Sequence, residues 1–135
     1  MPFQLTIVTP RGEAFRGEVE GIVLPGSEGD FGVLPEHERF LTPLRIGTLE
    51  IHAGDDTLHA AIAEGFAEVT GERVSVLVDS CELASEIDLG DAETARDRAQ
   101  QALAELDREA DADRYPRYEA ALALARARLE AVARQ

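Results

Sequence analysis

Between Ala84 and Asp88 the apolar residues of this chain change their period, and with it the structure the backbone can form. Upstream, apolar and polar residues alternate in short runs broken by Gly, Pro and Asp, the period-two pattern of half-buried strands. Downstream, Ala and Leu recur at spacings of three and four in a background of Ala, Arg and Glu, the period of a helix face. One chain of 135 residues is therefore expected to hold two units, a β domain over 1–85 and a helical unit over 86–135.

In the first unit Phe3, Leu5 and Ile7 alternate with Gln4 and Thr6 until Pro10-Arg11-Gly12 breaks the run. Gly21 to Leu24 is a short apolar run stopped by Pro25-Gly26, and a Gly- and acid-rich loop, Gly26 to Asp30, leads into Phe31 to Pro35. Leu49 and Ile51 alternate toward Gly54-Asp55-Asp56, a hairpin turn signal. Leu58 to Ala63, Phe66 to Thr70 and Arg73 to Asp79 complete the series, with Val74, Val76 and Val78 on one side. Roughly eight to ten strands with turn signals every eight to twelve residues favour an all-β sandwich or barrel over βαβ units.

In the second unit Asp88 is placed to cap a helix, with Asp91 three residues on. Ala92, Ala95, Ala99, Ala102 and Leu106 form a heptad seam that Leu103 widens. An acidic run, Asp107 to Asp113, separates it from a second helix. Pro116 disfavours helix at Tyr115 and is tolerated in the first turn that follows. The second seam is Tyr118, Leu122, Ala125, Leu129 and Val132, and a further stripe, Ala120, Leu124, Ala127 and Ala131, offers a second face. Two antiparallel helices are the simplest arrangement. A buried methyl group contributes under ~1 kcal/mol against ~1.5–3 kcal/mol for a whole Leu side chain. A hairpin of Ala seams is thus marginal alone, unless the alanines serve only helix propensity.

Charge divides the helices. Glu86 to Asp113 holds ten acids and three arginines, whereas Arg114 to Gln135 holds five arginines against Glu119 and Glu130. The basic second helix either neutralises the acidic first one or docks on an acidic partner. Over the whole chain the net charge is −14, which excludes a nucleic-acid binder and disfavours direct adhesion to anionic lipid. Cys81 is the single cysteine, so no internal disulfide is expected and a reducing compartment suits the chain. The start, Met1-Pro2-Phe3-Gln4, lacks a signal-peptide pattern. No stretch reaches the ~20 apolar residues of a membrane span, so membrane association is expected only through partners.

Enzymatic readings find no support. His37, His52 and His59 show no metal-ligand spacing with one another or with Cys81, so no metal is expected. The loop Gly26 to Gly32 lacks the Lys and following helix of a phosphate cradle, and Glu28 and Asp30 would repel an anion. Asp55-Asp56 reads as turn chemistry. No catalytic residue and no cofactor are assigned.

The stretch Gly26-Ser27-Glu28-Gly29-Asp30-Phe31-Gly32-Val33-Leu34-Pro35-Glu36-His37 resembles the signature loop of the epsilon subunits of bacterial F-type ATP synthases. So do Phe40-Leu41-Thr42-Pro43-Leu44, Gly65-Phe66-Ala67-Glu68-Val69 and Val74-Ser75-Val76-Leu77-Val78, and the likeness covers essentially the whole chain. The resemblance implies a non-catalytic rotor subunit at the cytoplasmic face of the cell membrane, with a ten-stranded sandwich followed by a helix-loop-helix. The sandwich would pack on the gamma subunit, with Glu28, Gly29, Asp30 and His37 at the gamma and c-ring contacts. The helices would lie folded against the sandwich, or extend along gamma into the alpha/beta catalytic head and inhibit ATP hydrolysis, with Arg117, Arg126 and Arg128 then at an acidic segment of beta. Two departures stand out. Glu36 and Arg39 replace the Gly and Pro that usually flank the histidine. The Ile/Leu-Asp-x-x-Arg-Ala nucleotide motif of some members survives only as Ile87, Asp88, Asp91 and Ala92, with Asp91 in the Arg position, so tight ATP binding is not expected.

Overall fold

The computed structural model describes residues 2–34 and 39–135. Ten strands fill the first unit: β1 (Phe3–Thr9), β2 (Gly12–Val19), β3 (Gly21–Gly26), β4 (Gly29–Val33), β5 (Phe40–Leu44), β6 (Gly47–Ala53), β7 (Asp56–Ile62), β8 (Gly65–Val69), β9 (Arg73–Val78) and β10 (Cys81–Leu83). Their hydrogen-bonded order is β10-β7-β6-β3-β5-β8-β9-β1-β2, with β4 on β3. All pairings are antiparallel except that of β1 with β9. The sheet folds over at the β3–β5 junction, where one pair, Gly26 with Leu44, joins the layers.

The alternation read from sequence decides what lies between those layers. Phe3, Leu5 and Ile7 face Leu49 and Ile51 across one core, together with Val74, Val76 and Val78. The expected sandwich is the observed fold.

One boundary differs from the sequence reading. Pro25-Gly26 does not stop β3, which runs through both residues. Pairing with β6 ends at Val23 and pairing with β5 begins at Gly26, so Pro25 lies in the gap between two neighbours. Its fixed φ suits an extended strand, and only its missing donor restricts where it can sit. Gly29 and Asp30 accordingly belong to β4, leaving Ser27-Glu28 as the hairpin tip. At the next hairpin Gly54 adopts φ 64°, the positive value that a two-residue primed turn requires at its first central position.

A 3-10 turn, Ala84–Glu86, leads to α1 (Leu89–Glu105) and α2 (Tyr115–Arg134). Asp88 caps α1, its Oδ1 accepting from Asp91 N at 3.0 Å. The acidic run between the helices caps itself. Asp107 Oδ1 accepts from Glu109 N and Ala110 N at 2.8 and 3.1 Å, and Asp111 Oδ2 accepts from Asp107 N at 2.9 Å. Hydrogen bonds from the Ala110 and Glu109 backbone hold the Asp107 carboxyl below its ordinary value. Tyr115 is helical despite preceding Pro116, because the proline falls within the first turn, where no intrahelical donor is lost.

α2 uses both of its apolar stripes at once. It packs along α1 and also over the outer face of β6 and β7. On β7, Ala60 and Ile62 enter the core, so the buried His59 and Ala61 point outward beneath the helix. Every fully buried residue of the two helices is alanine: Ala92, Ala99, Ala125, Ala127 and Ala131.

Candidate docking surfaces

Strand alternation buries Ala67 and Val69 of β8 and Val74, Val76 and Val78 of β9, which turns Phe66 and Leu77 outward. Both are large, apolar and 53% exposed. They are direct cross-strand partners, and register extends the row through Pro43 on one side and Val8 on the other. Four strands thus present the apolar row Pro43, Phe66, Leu77 and Val8, with Leu41, 65% exposed, on the same outer face of β5. An exposed apolar row on a chain of net charge −14 marks an interaction surface. Sequence reading missed it. The signal lay in Val8, Phe66 and Leu77 occupying outward positions of period-two runs, where polar residues are the rule.

At the tip of the β3–β4 hairpin Glu28 is exposed and makes no ion pair among the described residues. Asp30 is engaged, its Oδ1 accepting from Arg45 Nη2. Of the acidic contact residues named from the resemblance, Glu28 alone therefore offers an uncompensated carboxylate, and Gly29, with φ 135°, shapes the turn beneath it. His37 lies outside the described residues.

The three arginines of α2 part company. Arg117 and Arg126 are exposed, without ion pairs among the described residues. Arg128 is mostly covered and bound to Glu82 of β10, through Nε to Oε1 at 2.8 Å and Nη2 to Oε2 at 3.4 Å. The degenerate nucleotide motif serves the helix start: Ile87 is half-buried, Asp88 caps, Asp91 is exposed in the first turn, and Ala92 is buried against the rest of the fold.

The structure brings together two histidines that the sequence reading kept apart. The Gly54-Asp55 turn pairs Glu50 with His59, and His52 shares the Glu50 side of β6. His52 Nε2 lies 3.0 Å and His59 Nε2 3.8 Å from the Glu50 carboxylate, and Nδ1 of the buried His59 has no hydrogen-bond partner. Placing the turn first would have revealed this cluster. Among the described residues no three His, Cys, Asp or Glu side chains are grouped to hold a metal ion. Burial, reinforced by the charges of Glu86 and Glu82, pushes the Cys81 thiol up to about 12, which leaves it protonated and unreactive at neutral pH. No helix among the described residues is long and apolar enough to cross a membrane.

Comparison with known proteins agrees along the chain. The family model described as ATP synthase, Delta/Epsilon chain, beta-sandwich domain matches residues 2–84. The ATP synthase epsilon chain of Nitratidesulfovibrio vulgaris is 43% identical over 125 residues, 93% of this chain and 91% of that one. That of Geotalea uraniireducens is 41% identical over 131 residues, covering 97% and 94%. The fold superposes on a chain in the cryo-electron microscopy structure of the Euglena gracilis mitochondrial ATP synthase, OSCP/F1/c-ring in rotational state 1. The TM-score is 0.82 at 26% identity, over 98% of this chain and 81% of that one. Sandwich and helices alike, this chain belongs to the ATP synthase epsilon chain family.

Proposed function

We propose that this chain is a non-catalytic rotor subunit that joins the gamma subunit to the c-ring and restrains ATP hydrolysis through its two helices. The observation that carries this reading is the apolar row Val8, Pro43, Phe66 and Leu77 on the outer face of the sandwich. A surface of that character marks a site that a partner covers, and gamma is the partner assigned. The free carboxylate of Glu28, at the hairpin tip, is assigned to the polar loops of the c-ring. The complex then holds the chain at the cytoplasmic face of the membrane, without direct contact with lipid.

The helices are the regulatory arm. Their seams bury methyl groups, each worth under ~1 kcal/mol, so leaving the sandwich is inexpensive in apolar contacts. Exposed Arg117 and Arg126 are assigned to an acidic surface of the catalytic head, and Arg128 joins them when it leaves Glu82.

The test is made on the reconstituted complex. A chain ending at Ser85 keeps β-type circular dichroism, joins the complex and raises hydrolysis. Arg126→Glu raises hydrolysis by a smaller factor, and its advantage over wild type shrinks as salt is added, since exposed ion pairs contribute only ~0.2–1 kcal/mol and are screened. Equal hydrolysis by the truncated and full chains at low salt defeats the regulatory role, and failure of the truncated chain to assemble defeats the division at residue 85.

Asp91 places a carboxylate where nucleotide-binding relatives carry a cation, so no nucleotide role is assigned to Ile87, Asp88, Asp91 and Ala92. Calorimetry of the isolated chain with micromolar ATP is expected to give no binding isotherm. A clear isotherm reverses that assignment.

A further inference from the structure

The arm needs something that holds it in place, because alanine faces are small and carry no directional bond. Ala127 and Ala131 are buried on the stripe of α2 that also bears Leu124, and methyl groups of this size specify neither register nor orientation strongly. Among the described residues one ion pair connects the two helices to the sandwich, that of Arg128 with Glu82. Its geometry is two-pronged, which fixes direction as well as distance. The arginine side chain is only 18% exposed, so the pair is shielded more than the other arginine–carboxylate pairs among the described residues.

Its setting favours a contact that can be exchanged. β10 is a three-residue strand at one end of the sheet, paired to β7 alone, with Glu82 opposite Ala61. Leu124, Ala61 and Cys81 line the groove around the pair, and Arg11 and Asp79 lie in its walls without ion pairs among the described residues. Glu86 adds a second negative charge close enough to act, with Glu82, on the Cys81 thiol. Removing α2 would therefore take from Glu82 its two-pronged partner, leaving it beside Glu86 and Asp79 with Arg11 of the groove wall as the one nearby cation among the described residues, and would leave Arg128 without its carboxylate.

We infer that the Arg128–Glu82 ion pair is the latch of the helical arm, closed when α2 lies on β6 and β7 and open when Arg128 is offered to another carboxylate. This rests on the reading of the helices as a movable arm. Arg128 is held through its Nε–Nη2 edge and is only 18% exposed while α2 lies on the sandwich, so a partner's carboxylate gains full access to it only once α2 has left, and closing the latch competes with docking Arg128 on an acidic partner. A ligand shifts such an equilibrium only through its differential affinity for the two states. Competition for Arg128 supplies that difference. Arg126 lies outside the latch, so the two neighbouring basic positions act at different stages: Arg128 holds the closed arm, and Arg126 serves only the open one.

The experiment is hydrogen–deuterium exchange on the isolated full-length chain, which contains neither gamma nor the catalytic head. Its outcome is thus independent of whether the chain inhibits hydrolysis. Glu82→Gln is expected to speed exchange of the α2 amides roughly three- to tenfold, with β1 and β9 amides unchanged. Arg128→Glu alone acts in the same direction. The reversed pair, Glu82→Arg with Arg128→Glu, returns exchange toward the wild-type rate, and Arg126→Glu leaves it unchanged. Exchange in Glu82→Gln at the wild-type rate overturns the latch. So does a reversed pair that exchanges as fast as either single variant, because the effect would then not belong to the pair.

Discussion

Replacing Phe66 and Leu77 together by glutamate is expected to remove this chain from the rotor, with affinity for gamma falling at least ~100-fold. Both side chains are half exposed on the outer face of β8 and β9 and stand directly opposite each other. Covering them with a partner buries a continuous apolar row. Covering two glutamates instead leaves two carboxylates desolvated without counter-charge, and each unsatisfied buried polar group costs ~1–3 kcal/mol, more when charged. Two such penalties exceed the ~2.7 kcal/mol that separates binding constants a hundredfold apart. The sandwich itself should persist, because Glu68 already occupies this face of β8. Titration calorimetry of the variant against gamma, beside its circular dichroism, makes the measurement. Wild-type affinity in a folded double variant would show that the row is not the docking face.

The second large effect is one of stability. Gly65 begins β8 and pairs with Val78 of β9. A Cβ built on it would penetrate the Leu77 carbonyl oxygen and lie 2.7 Å from Val78 Cα. Both are backbone atoms and cannot swing aside as a side chain does. Gly65→Ala therefore forces β8 from β9 beside the core, and the upper end of the overpacking range, about 3 kcal/mol, is expected. For a domain of this size that lowers the melting temperature by roughly 12–24 °C. Gly71→Ala is the control. No atom lies within 4 Å of its added Cβ and its φ is not positive, so the change should stay within ~1 kcal/mol. Equal melting temperatures for the Gly65 and Gly71 variants would mean that the β8–β9 approach is looser than described.

Much of the architecture was readable because it is local. The period of two put Leu5, Ile7, Leu49, Ile51 and Val76 on inward faces, and each is fully buried. The period of three and four placed Ala92 and Ala99 on the inner seam of α1, and Asp88 caps that helix where its sequence position required. Gly54 announced its turn, and that turn alone sets the Glu50–His59 pairing. The reading failed at Pro25, where local chemistry said stop. A sheet that changes partners there can use a residue without a donor.

Alternation in one strand determined which residues face outward, and charge along the chain determined that α2 is basic. Neither decided which outward residues meet. Val8 and Leu77 become neighbours only because β1 lies parallel to β9, a pairing between segments far apart in the chain. Arg128 meets Glu82 across 46 residues because α2 folds back over β6 and β7, beside β10. Side-chain period is a property of the backbone of each element, fixed by a few adjacent dihedral angles. Strand order and helix docking instead arise from burial summed over the whole chain, against the entropy of closing long loops. The sequence by itself therefore determined the core faces and the helix seams, whereas the outer apolar row and the Arg128–Glu82 pair exist only in the assembled tertiary structure.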